Sequence, residues 1–172
     1  HPEAFAIAPW EETEDPVAAV ARLCGSARRV AVGDTTWAVF LLALQQRLPG
    51  AEFTAASAIT GELRVRKEPE EIEFLRQAGR AVDRVVARLD GSRFSGKTER
   101  QLSAEIAALV VAEGHEQATF SIVASGPNGA SPHHEAGERV LAPGEAVVRD
   151  FGGRPRGYHS DITRTFFIGE AP

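Results

Sequence analysis

Asp150 and Asp161 stand eleven positions apart, on either side of a loop, Arg154-Pro155-Arg156-Gly157, whose proline and glycine are turn formers. The flanking segments, Ala146 to Phe151 and Tyr158 to Ile168, read as strands, so together they predict an antiparallel hairpin. If the four-residue loop sets the register, Gly153 pairs with Tyr158 and Asp150 faces Asp161. Residues directly opposite lie about 4.5–5.5 Å apart at Cβ, where like charges repel. Three arrangements resolve the conflict: a divalent cation between the carboxylates, a proton shared by them, or a different register in which both are solvated. The neighbouring residues Phe151 to Gly153 and Ile162 to Phe167 are apolar or small, as in strands that enter a core. Asp161, Thr163 and Thr165 share one strand face with His159, and a polar stripe in such strands lines a site or a cavity. Carboxylates without cysteine suit Mn, Co(II), Zn or Mg. Two of them fall short of the three to six ligands of a metal centre, and His133, His134 and His159 are the other donors nearby in sequence.

The elements that must position these residues follow from local pattern. Residues 1–15 read as irregular or edge strand. Asp15 then caps a short helix over residues 16–24, with Pro16 in its first turn. Arg28 to Val32 alternates as a strand. A second helix, capped by Asp34, Thr35 or Thr36, carries Trp37, Phe40, Leu41, Leu44 and Leu48 at helical spacing and ends at Pro49-Gly50. Glu52 to Ala55 is another strand, and this alternation reads as part of an α/β domain. A boundary falls near residues 61–68. Lys67-Glu68-Pro69-Glu70-Glu71 opens a helix to about Leu89, with Ile72, Leu75, Gly79, Val82, Val85, Val86 and Leu89 on one face. Thr98-Glu99-Arg100-Gln101 is a capping box. Its helix turns Leu102, Ile106, Leu109 and Val110 inward and closes at Gly114. Thr119 to Ala124 is a strand, and Gly126-Pro127-Asn128-Gly129 and Pro143-Gly144 are turns. Two helices followed by antiparallel strands predict an α+β domain.

Composition limits the function classes. The 172 residues are 43% hydrophobic and 25% charged, enough apolar material for a folded core. The longest apolar run, Ala38 to Leu44, is far too short for a membrane span. A net charge of −5 argues against a nucleic-acid partner. The single cysteine, Cys24, excludes an internal disulfide and a cysteine-rich zinc site. It fits a reducing compartment, so a cytoplasmic location is expected. There is no methionine and the chain begins at His1, so a trimmed N-terminus is expected.

Several motifs, taken in order and spacing, resemble the pita-bread metallopeptidases. They are Ser125-Gly126-Pro127-Asn128-Gly129-Ala130-Ser131-Pro132-His133-His134, Leu141-Ala142-Pro143-Gly144-Glu145, Asp150-Phe151-Gly152-Gly153, and Gly157-Tyr158-His159-Ser160-Asp161-Ile162-Thr163-Arg164-Thr165. This family includes Xaa-Pro dipeptidases (prolidases), Xaa-Pro aminopeptidases and methionine aminopeptidases. Leu63 to Ile72 resembles the junction that opens the catalytic domain in the proline-directed branches, and the α/β segment before it favours those branches, prolidases foremost. The resemblance implies a partial α/β N-terminal domain over residues 1–62 and the first half of an α+β pita-bread catalytic domain over 63–172. It implies that Asp150 binds one of two divalent ions (Mn, Co or Zn), that Asp161 bridges both, and that His133 contacts the substrate near the scissile bond. His134 and His159 match variable positions. Thr163 and Arg164 would order the aspartates, and Asn128 would form a turn near the site mouth. Glu145 stands where the family usually has Asp.

The family's other ligands, one histidine and two glutamates, come from a second half that follows. The chain is therefore expected to be an inactive piece of a longer, homodimeric enzyme acting on proline-containing dipeptides or short peptides, with neither nucleic acid nor membrane as partner. The rivals are a metal-independent amidinohydrolase like creatinase, which would not need both aspartates, and a catalytically silent binding module.

Overall fold

The computed structural model describes residues 7–90 and 94–169. The expected edge strand at the N-terminus lies partly outside them, and residues 7–15 form no strand. The chain divides into two compact units, His1–Arg66 and Lys67–Pro172.

The first unit is built on a strand–helix–strand crossover. Helix α1 (Pro16–Cys24) starts where Asp15 accepts hydrogen bonds from the Val17 and Ala18 amides, with Pro16 in the first turn. Asp15 also forms an ion pair with Arg47, at the end of α2 (Ala38–Arg47). Strands β1 (Arg29–Val32) and β2 (Glu52–Ala55) pair in parallel, Val30 opposite Phe53. The cap of α2 departs from expectation. Its N-cap is Trp37, which makes no side-chain cap, because the Asp34 carboxylate instead accepts the Ser57 amide. Ser57 opens helix α3 (Ser57–Val65), which the sequence pattern does not predict and which runs into the boundary expected near residues 61–68. The helical apolar spacing in α2 also overstated its core. Only Leu44 is buried there, while Trp37 is 72% exposed and stacks on Phe40.

The second unit packs two helices on a three-stranded antiparallel sheet. Helix α4 (Pro69–Asp90) begins with Pro69 in its first turn, and the Glu71 carboxylate reaches back to the Glu68 amide. Its inward face holds Val82, Val85 and Leu89 as the spacing predicts, whereas Ile72 and Leu75 near its start are exposed. Helix α5 (Glu99–Ala112) carries the expected capping box, Thr98 and Gln101 each bonding the other's backbone amide. Strands β3 (Ala118–Ser125), β4 (Ala146–Gly153) and β5 (Ile162–Phe167) lie in that order. Ser121, Val123, Val147 and Phe151 face the helices, with Ile162 opposite Phe151. Completely burying a side chain the size of Phe151 contributes about 1.5–3 kcal/mol over leaving it exposed.

The hairpin register differs from the expected one. Asp150 pairs with Thr163 and Phe151 with Ile162, so Asp150 does not face Asp161. Ser160, not Tyr158, meets Gly153, its amide donating to the Gly153 carbonyl at 3.0 Å. The loop is longer because its residues are used elsewhere. Tyr158 donates its hydroxyl to Glu71 at 2.8 Å and packs its ring on Phe74, which holds it out of the ladder. Arg156 and Gly157, both at positive φ, turn the chain back.

The close junction of β4 with this loop gives a test. A Cβ on Gly152 would run into the Ser160 carbonyl and the Phe120 ring. Backbone cannot yield as a flexible side chain does, so Gly152→Ala should lower the unfolding free energy by about 1–3 kcal/mol, the usual range for overpacking. Urea denaturation measures it, and an unchanged midpoint would contradict this packing.

Candidate functional site

A register shift of two residues keeps every side chain on its own face, because the strand period is two. Asp150 and Asp161 therefore share the sheet face turned away from α4 and α5, as diagonal rather than opposite neighbours. Diagonal pairs are separated by up to about 7–8 Å. The register therefore differs from the facing one, and a divalent ion between the carboxylates stays compatible with it. Asp150 is half-buried and Asp161 exposed. Thr163, between them on this face, donates its hydroxyl to the Asp150 carboxylate at 2.8 Å. Arg164 points to the other face and turns back to the Thr163 carbonyl, so it orders backbone rather than a carboxylate.

Asp161 itself is anchored through its neighbour. Ser160 is buried, and its hydroxyl lies 2.8 Å from His115 Nε2 while accepting the Gly153 amide at 3.2 Å. His115 Nδ1 faces the Val110 carbonyl, which can only accept, so the ring proton sits on Nδ1 and Nε2 accepts from Ser160. Burial, the larger influence, lowers the His115 pKa and favours this neutral form.

The loop with His133 hangs on a second buried group. Helix 3₁₀ Gly126–Ala130 follows β3, and Gly129 lies beside Val148, on the same sheet face as Asp150. Glu99 at the start of α5 is completely buried. One oxygen accepts the Ser125 amide and hydroxyl at 2.7 Å each and Asn128 Nδ2 at 3.0 Å. The other accepts His134 Nε2 at 2.7 Å and the Gly137 amide at 3.3 Å. Burial pushes its pKa up most strongly, but the Ser125 amide, His134, the Ser125 hydroxyl and Asn128 together hold it down at about 2. With His134 turned inward to Glu99, the adjacent His133 is exposed to solvent, as is His159. Glu145, in the turn before β4, is paired with Arg139.

The sequence pattern picked out Asp150, Asp161 and His133, but not Glu99, His115 or Ser160 as supports. Glu99 read only as a helix-start acid, and no local pattern links it to donors 26 to 38 positions away. As a metal site the donor types are suitable, since carboxylates fit hard or borderline divalent ions. Their number is not complete: among the described residues no group of three His, Cys, Asp or Glu side chains converges. No helix among them is long and apolar enough to cross a membrane.

Comparison with known proteins bears on this geometry. The sequence profile of metallopeptidase family M24 matches residues 73–172. A probable dipeptidase PepE of Mycobacterium tuberculosis is 43% identical over 166 residues, 95% of this chain and 44% of its own length. An Xaa-Pro dipeptidase of Pyrococcus furiosus is 35% identical over 119 residues, 69% of this chain and 34% of that protein. Among solved structures, a dipeptidase from Pyrococcus horikoshii OT3 superposes with a TM-score of 0.89 at 33% identity, covering 99% of this chain and 49% of that one. Dipeptidase PepE from Mycobacterium ulcerans does so at 0.84 and 43%, covering 95% and 44%. The fold is thus the pita-bread architecture, and the chain spans about half the length of these relatives or less.

The Glu99 cluster makes stability depend on pH in a defined direction. The carboxyl is held at about 2 in the folded protein against an ordinary 4.5. Its contribution, about 3 kcal/mol, is complete above pH 4.5 and is lost as pH falls toward 2. Glu99→Gln should therefore cost stability at neutral pH, and the gap from the wild type should close between pH 4.5 and 2. Denaturant melts across that range measure it, and a gap independent of pH would contradict the assignment.

Proposed function

The chain belongs to metallopeptidase family M24, and from that membership we propose that it carries the first half of a metal-dependent catalytic domain that hydrolyses Xaa-Pro peptide bonds, as a dipeptidase or an aminopeptidase. The observation that carries this reading is the sheet face bearing Asp150, Thr163 and Asp161, with the turn that leads to His133 lying over the same face. The similarity to an Xaa-Pro dipeptidase supports the choice of substrate. On this reading residues 63–172 belong to the catalytic domain and residues 1–62 to an α/β N-terminal domain, and the complete protein is a cytoplasmic homodimer.

Asp150 and Asp161 would hold a pair of divalent ions, Mn, Co or Zn, with Asp161 shared between them. Bound there, such ions supply Lewis acidity toward the peptide carbonyl and acidify a water. The chain's own residues do the positioning. Thr163, donating to Asp150, restrains the rotamer of that carboxylate. The His115–Ser160 contact pins the backbone immediately before Asp161. His133, exposed beside the Glu99-bound His134, reaches outward to donate a hydrogen bond to the oxygen that gains charge as the carbonyl is attacked.

Two outcomes follow. With two carboxylates and no third converging donor among the described residues, the 172-residue chain alone should not cleave Gly-Pro or Ala-Pro with any added divalent ion. Chelator-sensitive turnover by it would contradict the ligand count. In a protein that completes the domain, Asp161→Ala should abolish activity together with metal content. His133→Ala should keep the metal and lose about 10²–10³ in rate, the usual worth of one such donor. Equal metal content in the wild type and Asp161→Ala, by elemental analysis, would refute the assignment.

A further inference from the structure

His133 sits in a turn that one carboxylate holds from both sides. The Ser131 carbonyl accepts the His134 amide at 3.3 Å, so residues 131–134 form a β-turn with Pro132 second and His133 third. Proline in the second place fixes one of the turn's central φ angles before any contact is made. At the end of the turn, His134 Nε2 lies 2.7 Å from a Glu99 oxygen, and only 19% of the side chain is exposed. An ionised carboxylate can only accept, so Nε2 carries the proton. At its start, the Ser131 amide donates to the Asn128 carbonyl at 3.0 Å, and Asn128 Nδ2 lies 3.0 and 3.2 Å from the two Glu99 oxygens.

The chain beyond the turn returns to the same place. The Gly137 amide reaches Glu99 at 3.3 Å, and the Gly137 and Arg139 carbonyls accept the Arg100 and Glu99 amides at 3.0 Å each. Glu99 is itself buried in the first turn of α5, directly after the Thr98 cap. Ser131, Pro132 and His133 are all exposed, so burial does little to fix them and the hydrogen bonds to Glu99 carry that task.

We propose that Glu99, acting through Asn128 and His134, is the positioning residue for His133 in the hydrolysis of Xaa-Pro bonds. The inference rests on the proposed function, in which His133 donates to the oxygen that gains charge. A donor of that kind is effective when it is aimed before the reaction and needs no reorganisation during it. His134, at a position that varies in the family, is then part of the support and not a reacting group, because its Nε2 proton is committed to Glu99.

The test joins two measurements on His134→Leu and Asn128→Ala, which release the two sides of the turn and leave the buried carboxylate in place. In the ¹⁵N-labelled 172-residue chain, the His133 amide should be as ordered as the amides of α5. Each variant should lower its order parameter and leave those of α5 unchanged. In a protein that completes the domain, each should lower kcat about ten- to hundredfold, within the worth of the donor being aimed, while metal content and KM hold. His134→Gln, which keeps an N–H donor, should recover most of that loss. In a His133→Ala background His134→Leu should cost less than about twofold more, because the group it positions is gone. A merely structural role predicts the same loss in both backgrounds. A turn that stays ordered in both variants, equal losses in the two backgrounds, or no recovery in His134→Gln would overturn the positioning role even in an active enzyme. A turn that loosens while His133→Ala keeps the full rate would instead sink the reading of His133 itself, and the proposal with it.

Discussion

A buried carboxylate has to be paid for in hydrogen bonds, and Glu99 gathers its donors from the end of one strand and the segment that follows it. It sits in the first turn of α5, takes the amide and hydroxyl of Ser125 at the end of β3, and holds Asn128, His134 and the Gly137 amide in the segment that follows. One side chain thus joins the start of a helix, the end of a strand and the loop that leaves it. Without that charge the segment from Gly126 to Gly137 would have few reasons to lie over the sheet. The exposure of His133 is the by-product: its neighbour His134 is committed inward. The same logic works on a smaller scale at the other end of the sheet, where buried His115 and Ser160 fix the backbone before Asp161.

The sheet supplies the second constraint. Alternation sends Val147, Arg149 and Phe151 toward the helices and Val148, Asp150 and Gly152 away from them. The two charged residues at 149 and 150 thereby meet different surroundings. Arg149 is sandwiched among apolar and aromatic groups, and Asp150 lies on the opposite face with Thr163 and Asp161. Glycine at 152 and 153 permits the close approach of the Ser160 and His115 segments that brings Asp161 to its place.

Much of this was legible in the sequence where the cause is local. Asp15 and Pro16 start α1, Thr98 and Gln101 cap α5, and the apolar spacing from Val82 to Leu89 marks the buried face of α4. The motifs around Asp150 and Asp161 carried the family. What failed depended on partners distant in sequence. The hairpin loop looked four residues long because nothing near Tyr158 announces Glu71, 87 positions earlier, as its partner. Asp34 looked like a cap for α2 because its actual acceptor role, toward Ser57, belongs to a helix that the pattern did not reveal. Glu99 read as an ordinary first-turn acid for the same reason. The facing-carboxylate geometry was wrong by two residues, yet the shared face survived, since an even shift preserves side-chain direction.

On the proposed function, the face shared by Asp150 and Asp161 binds a divalent ion, with the His133 loop beside it. Substoichiometric Mn²⁺ added to the ¹⁵N-labelled chain tests this most directly, because a paramagnetic ion broadens amides according to their distance from it. The amides of residues 150–152 and 161–163 should broaden first, followed by those of residues 131–134. Broadening centred on another acidic segment, such as Glu11 to Asp15, or spread evenly over the surface, would contradict it.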